Sequence, residues 1–183
     1  MLKTVCVYCG ASTRVSPLYL EAAREVGTLL AENGLSVVYG GGRRGLMGQV
    51  ADAALQAGGH VVGIIPQHLQ DREERHDDLT ELHIVNTMHE RKELMINRSD
   101  AFVILPGGYG TLEEAFEILT WKQIGLHNKP ILFVNTNSFW SPLKDFKEKL
   151  LAENFIKEND LGLFGFAESI DQILPQLQQE IAG

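Results

Sequence analysis

The segment Leu105-Pro106-Gly107-Gly108-Tyr109-Gly110-Thr111-Leu112-Glu113-Glu114 gathers three glycines, a hydroxyl and two carboxylates directly after the apolar run Ala101-Phe102-Val103-Ile104. Glycine tolerates left-handed backbone angles and lets a ligand approach without a Cβ in the way. The free N–H groups at the start of a helix attract an anion. The expected local structure is a strand, a phosphate-sized turn and a helix that opens on carboxylates. Glu114 then sits one helical turn inside, where it can do acid–base work on a phosphorylated ligand. The same spacing also has a structural meaning. Thr111-Leu112-Glu113-Glu114 fits the S/T-x-x-E capping box, with Thr111 capping the helix and Glu114 reaching back to its N–H. Spacing alone leans to the cap.

Upstream, Met88-His89-Glu90-Arg91-Lys92-Glu93-Leu94-Met95 reads as a helix on which Met88, Arg91 and Met95 share a face. An arginine planted in an apolar stripe needs an anionic partner. That partner is a structural carboxylate, a ligand phosphate or a catalytic carboxylate, and the nearby glycine turn favours the last two. His83 and His89 do not form a helix-spaced metal pair and no H-E-x-x-H occurs, so no metal is expected. The only cysteines form Cys6-Val7-Tyr8-Cys9 in a strand-like run. On a strand these two thiols point to opposite faces, and buried, unreactive thiols are the expectation.

Two further loops follow apolar runs. Gly40, Gly42 and Gly45 satisfy G-x-G-x-x-G, but the motif follows the second strand rather than the first. The next strand ends Ile64-Ile65-Pro66-Gln67, without the acidic residue a dinucleotide ribose needs. What survives is a glycine-rich loop suited to a ribose or phosphate, or simply a tight turn. Cys9-Gly10-Ala11-Ser12-Thr13-Arg14 is a small-residue loop with hydroxyls that suits a nucleotide equally well as a cap for the helix near Pro17.

The elements that must carry these loops alternate regularly. Strands are predicted at 3–9, 35–39, 60–65, 82–86, 100–105, 130–134 and 161–166, and helices at 17–33, 45–58, 88–98, 111–125, 139–153 and 168–181. A β-α-β-α series with strands apolar nearly throughout predicts an α/β, Rossmann-like three-layer fold with a mainly parallel sheet of about seven strands. All three loops would meet at the C-terminal edge of that sheet, where ligands bind. The charged run Asp71-Arg72-Glu73-Glu74-Arg75-His76-Asp77-Asp78 reads first as a solvated loop, although its place after a strand points it toward the same edge.

Composition bounds the rest. The 183 residues, 44% apolar, fit one domain over 1–183, and the net charge of −8 argues against nucleic acid as a partner. No run of about 18 apolar residues is present to span a bilayer, and no leader pattern opens the chain, so a cytoplasmic protein without a membrane partner is expected. Helix 111–125 is apolar on more than one face, through Leu112, Ala115, Phe116, Ile118, Leu119, Trp121 and Ile124, which suggests cover by a partner subunit.

Taken together, Pro106-Gly107-Gly108-Tyr109-Gly110-Thr111-Leu112-Glu113-Glu114, Met88-His89-Glu90-Arg91-Lys92, and Gly40-Gly41-Gly42 with Gly45-Leu46-Met47-Gly48 resemble the LOG ("Lonely Guy") family of cytokinin riboside 5'-monophosphate phosphoribohydrolases. Cys-Gly-Ala-Ser after the first strand and Thr120-Trp121 with Gln123-Ile124-Gly125 extend the likeness over nearly the whole chain. The resemblance implies an N-glycosidase that splits a nucleoside 5'-monophosphate, a cytokinin riboside monophosphate or AMP, into free base and ribose 5-phosphate. It implies no cofactor and a homodimer. Arg91 and Glu114 would be the catalytic pair, which reverses the preference for a cap. The substrate contacts would be Ser12, Gly41, Gly42, Glu73, Met88, Lys92, Gly107, Gly108, Tyr109, Gly110, Thr111, Leu112, Glu113 and Thr120, with Glu74 competing with Glu73 for its register. A general purine monophosphate nucleosidase and a non-catalytic nucleotide-binding protein are the rival readings. Members often carry the label "lysine decarboxylase", but no pyridoxal-phosphate lysine setting is evident in the sequence.

Overall fold

The structure, a computed structural model, describes residues 1–71 and 73–182; Arg72, inside the charged run, and Gly183 lie outside them. In chain order the elements are β1 Thr4–Tyr8, α1 Pro17–Glu32, β2 Ser36–Tyr39, α2 Gly45–Gln56, β3 Val61–Pro66, β4 Glu81–Val85, α3 Met88–Asn97, β5 Ala101–Ile104, α4 Tyr109–Gln123, β6 Ile131–Val134, α5 Ser141–Ala152, β7 Gly165–Ala167 and α6 Ile173–Ala182. The strands form one seven-stranded sheet in the order β4-β3-β2-β1-β5-β6-β7, with every pairing parallel. The α/β three-layer reading of the sequence therefore holds.

The two-residue period of the strands divides the core. Val5 and Val7 of β1 join Ala23, Val26, Val50 and Leu177 in a cluster under α1, α2 and α6. Cys6 and Tyr8 join Met95, Ile96, Ala115 and Ile118 in a second cluster under α3 and α4. The two thiols are free and buried, Cys9 in the first cluster and Cys6 in the second, on opposite faces as the strand reading requires. Tyr8 stacks on Phe102 of β5 with ring centroids 5.9 Å apart, across the middle of the sheet. Burying an apolar side chain of this size contributes about 1.5–3 kcal/mol.

Strand order fixes where a ligand crevice falls. From β1 the chain adds β2, β3 and β4 outward on one side, then returns to lay β5 on the other side of β1. The direction of winding reverses between β1 and β5, and the loops leaving those two strands splay apart. They remain tied at their bases: Leu105 N–H donates to Tyr8 O at 2.9 Å and Gly10 N–H to Pro106 O at 3.1 Å. The start of α2 is drawn in by Leu46 N–H donating to Gly10 O at 3.0 Å. All three small-residue loops thus stand on one edge.

Local differences from the sequence reading have local causes. The chain from Glu158 to Gly162 winds into a 3-10 turn, so that of the predicted 161–166 strand only Gly165 and Phe166 pair with β6, and the strand runs on to Ala167. Another 3-10 turn, Ile170–Gln172, delays α6. The most consequential shift is at α4, which starts at Tyr109 rather than Thr111.

Candidate active site

A cavity of about 430 Å³ opens at the β1/β5 switch point. Its floor is the turn Pro106-Gly107-Gly108 and the first residues of α4, and its sides come from the loop after β1, the start of α2, the loop after β3 and the start of α3.

The N-terminus of α4 is built to face a ligand. Gly108 is the residue before its first turn, no side chain caps it, and no acidic residue lies in that turn. Its N–H groups and the positive end of its dipole are therefore directed into the cavity with no protein carboxylate bound to them. Gly107 must lack a side chain, because a Cβ there would collide with the buried Thr111 hydroxyl. With α4 starting at Tyr109, Thr111 lies inside the helix and cannot cap it. The capping-box reading of Thr111 and Glu114 is thus overturned. The T-x-x-E pattern that does cap a helix is Thr87 to Glu90: Thr87 accepts from Glu90 N–H at 3.1 Å, and the Glu90 carboxylate accepts from Asn86 N–H at 2.8 Å. That cap sets the start of α3 and hence the direction of Arg91.

Arg91 is buried, 4% exposed, beside Met95 in the apolar stripe. One Nη donates to Gly40 O at 2.9 Å and to the Glu73 carboxylate at 3.2 Å, and the other lies 3.9 Å from Met88 Sδ. A side chain at Gly40 would displace that guanidinium nitrogen, because a Cβ would lie 2.1 Å from it. The anionic partner of Arg91 is therefore Glu73, a cavity carboxylate. Of the two neighbouring glutamates, Glu73 lines the cavity and Glu74 does not. Glu74 takes φ +50° and turns outward to Arg44 at 3.0 Å, leaving Glu73 directed inward. The charged run is accordingly not a free solvated loop.

Glu114 lines the cavity with Arg91 and Glu73, and burial pushes its carboxyl up to about 7 from 4.5. The Arg91 charge pulls the other way, while Glu73 and Glu113 add to the rise. A carboxyl that changes charge near neutral pH in a cleft suits proton transfer.

The structure brings Ser12, Glu73, Met88, Arg91, Gly107, Gly108, Gly110, Thr111, Glu113 and Glu114 together on one cavity. It does not bring six other expected residues there. Lys92 is buried and committed to Glu113 at 2.5 Å and Glu117 at 3.0 Å; burial opposes its charge, but these two bonds win and raise its pKa. Leu112 packs against the α3/α4 core, and the Tyr109 side chain is 92% exposed. Gly41 and Gly42 lie beneath the loop after β3, Gly41 O accepting from His76 N–H at 3.0 Å and Gly42 bridging to Arg75. Thr120 is about three turns along α4, donates to Phe116 O at 2.7 Å, and lines a separate groove of about 160 Å³ between α4 and α5. The sequence reading missed the apolar wall of Cys9, Val15, Tyr19, Leu46, Met47, Leu69 and Phe139. Only the placement of these residues one to eleven positions beyond the strand ends hinted at it. Among the described residues no group of His, Cys, Asp and Glu is arranged to hold a metal ion.

Fold and cavity together define an α/β protein with a small-molecule-sized cavity at its sheet switch point, an uncapped helix N-terminus facing that cavity and an ionisable carboxylate inside it. Comparison with known proteins narrows the class. Residues 47–177 match a family model described as "Possible lysine decarboxylase". A probable cytokinin riboside 5'-monophosphate phosphoribohydrolase of Oryza sativa subsp. japonica is 42% identical over 98% of this chain and 79% of its own. The cytokinin riboside 5'-monophosphate phosphoribohydrolase of Rhodococcoides fascians is 48% identical over 84% of this chain and 78% of its own. The molybdenum cofactor carrier protein of Chlamydomonas reinhardtii shares the fold, with a TM-score of 0.76, 20% identity and full coverage of both chains. The chain belongs to the LOG family of cytokinin riboside 5'-monophosphate phosphoribohydrolases, the family that the "lysine decarboxylase" model also captures.

The raised Glu114 pKa has a sign that separates a cavity acid from a helix cap. Between about 4.5 and 7 the folded protein holds a proton that the unfolded chain has released, so this group's contribution to stability is complete below 4.5 and is lost as pH rises through 7. Glu114→Gln, which mimics the protonated form, is expected to exceed wild type by about 1–3 kcal/mol near pH 8.5 and to match it near pH 4.5, by urea unfolding. A cap predicts a loss at both.

Proposed function

We propose that this protein hydrolyses the bond between base and ribose in nucleoside 5'-monophosphates, cytokinin riboside monophosphates and AMP among them, and that Glu114 and Arg91 are its catalytic pair. The observation that carries the reading is Glu114: a cavity carboxyl held near neutrality, beside the uncapped N-terminus of α4, in a chain 42% and 48% identical to curated phosphoribohydrolases.

Breaking the C1'–N bond leaves the electron pair on the base nitrogen and positive charge on the ribose ring. A carboxylate at that face stabilises the ring cation and takes a proton from the attacking water, whose oxygen bonds to C1'. The departing nitrogen gains a proton from solvent, giving free base and ribose 5-phosphate. Glu114 takes this role. The 5'-phosphate sits on the N–H groups of Gly108, Gly110 and Thr111, where the dipole of α4 favours it despite the chain's net charge of −8. Arg91, one Nη of which meets both Gly40 O and Glu73, orients the Glu73 carboxylate toward the ribose and tempers the charge around Glu114. Val15, Tyr19, Leu46, Leu69, Met88 and Phe139 supply an apolar wall for the base and for an isoprenoid chain upon it. Lys92 does not touch substrate in this scheme; it braces Glu113 at the cavity rim.

Assembly and location complete the reading. Phe116, Ile124, Leu126, Phe146 and Phe155 are between 38% and 78% exposed on the α4/α5 side, a larger apolar surface than an isolated chain needs. We assign it to a homodimer interface. A cytoplasmic protein would meet nucleoside monophosphates directly, and no helix among the described residues is long and apolar enough to cross a membrane.

Incubation with AMP or N6-isopentenyl-AMP is expected to release free base and ribose 5-phosphate, with Glu114→Gln folded but at least about 100-fold slower. Adenosine, which lacks the remote phosphate that aligns the scissile bond, should turn over about 100-fold or more below AMP. Equal rates for AMP and adenosine, or an active Glu114→Gln protein, would overturn the assignment. Light scattering at micromolar concentration should give twice the chain mass of 20.3 kDa, and Phe155→Asp should halve it. A monomeric wild type would remove the interface.

A further inference from the structure

Of the described residues between Gln67 and Thr80, His76 alone is buried, and it is fully so. Both of its ring nitrogens are engaged. Asp78 N–H donates to Nδ1 at 3.2 Å, so Nδ1 carries a lone pair and the ring proton is on Nε2, which lies 2.9 Å from the Asp52 carboxylate of α2. The backbone around it is stitched to the glycine loop after β2. His76 N–H donates to Gly41 O at 3.0 Å, Arg75 bridges to Gly42, and Arg43 N–H reaches Glu73 O at 3.2 Å and Glu74 O at 2.8 Å. The side-chain pairs on the outer surface, Arg43 with Asp78, Arg44 with Glu74 and Arg75 with Asp77, are each between 38% and 68% exposed and too well solvated to fix the loop alone.

We propose that His76 is a positioning residue: by bonding Asp52 and the Asp78 backbone it locks the loop after β3 onto the glycine loop, and thereby holds the Glu73 carboxylate on Arg91. The lock is needed because the turn that aims Glu73 inward places Glu74 at φ +50°, a conformation that persists only when its surroundings impose it. Freed from α2, the loop relaxes toward ordinary angles and Glu73 leaves the guanidinium. Arg91 is then buried without its carboxylate, and the cavity loses the arrangement that faces the ribose. His76 touches no cavity residue's reacting atoms, so it acts only through Glu73.

The inference rests on the proposed hydrolytic site, and two readouts keep the two apart. With AMP as substrate, His76→Ala is expected to lower kcat/KM about 10- to 100-fold. Asp52→Ala, which removes the same bond without emptying the core, should lower it in the same direction by less. His76→Gln keeps a donor toward Asp52 and should recover part of the loss. Since His76 works through Glu73, the His76→Ala/Glu73→Gln double variant should fall within about threefold of Glu73→Gln alone. Losses that multiply would overturn the proposal, as would a His76→Ala protein within about twofold of wild type. Hydrogen–deuterium exchange reads the lock without catalysis. Amides of residues 73–78 should exchange faster in His76→Ala and Asp52→Ala, while those of α4 and β5 stay at the wild-type rate. Unchanged exchange at 73–78 would overturn the proposal even if wild type released no base, the result that would sink the hydrolytic reading itself.

Discussion

The buried guanidinium of Arg91 is the constraint around which the cavity is arranged. A cation removed from water must be met by acceptors, and leaving it unmatched costs about 3–5 kcal/mol. Gly40 O and Glu73 meet it, and each imposes something further. The carbonyl is reachable only because Gly40 has no Cβ. The carboxylate is reachable only because the loop after β3 folds inward, with Glu74 in a left-handed conformation and His76 buried behind it. A residue of α3 thereby organises the loops after β2 and β3, although none of these segments is adjacent in sequence.

The same cation sets the balance at Glu114. Burial raises its carboxyl most, Glu73 and Glu113 add to the rise, and Arg91 and Lys92 pull the other way, leaving it near 7. Arg91 cannot cancel the burial because its charge is already shared with Glu73, which itself adds to the rise at Glu114. The result is a guanidinium among carboxylates in a chain of net charge −8, with the dipole of α4 as a further attraction for an anion. Long-range charge and local chemistry point in opposite directions, and within a cavity the local terms prevail because they act over a few ångströms in a poorly screened medium.

The fold was legible because its signals are local and repeated. Strands such as Ile131–Val134 are apolar throughout, and helices such as α1 open on Pro17, which starts a helix by its own chemistry, although its cap is Ser16 rather than the 9–14 loop. The glycine turn after β5 and the arginine in an apolar stripe were legible for the same reason. What failed depended on contacts between distant segments. Thr111 and Glu114 have capping-box spacing, but two glycines and a tyrosine let the helix begin earlier, and the pattern ended up inside it. Lys92 follows Arg91 in sequence, yet one step along a helix is about 100° around it, which turned the lysine to Glu113 and Glu117. Thr120 was carried over by resemblance and lies on another groove. The charged run from Asp71 to Asp78 could not announce from composition that its one histidine would be buried against Asp52.

In the proposed mechanism Glu114 works as a carboxylate whose proton is held near neutrality by its surroundings. The pH dependence of kcat/KM for base release tests it most directly. The account predicts a rate that falls on the acid side with an apparent pKa of about 7, as one proton enters the free enzyme. A rate that stays level down to about pH 5, where an ordinary solvent-exposed glutamate would still be charged, would contradict it.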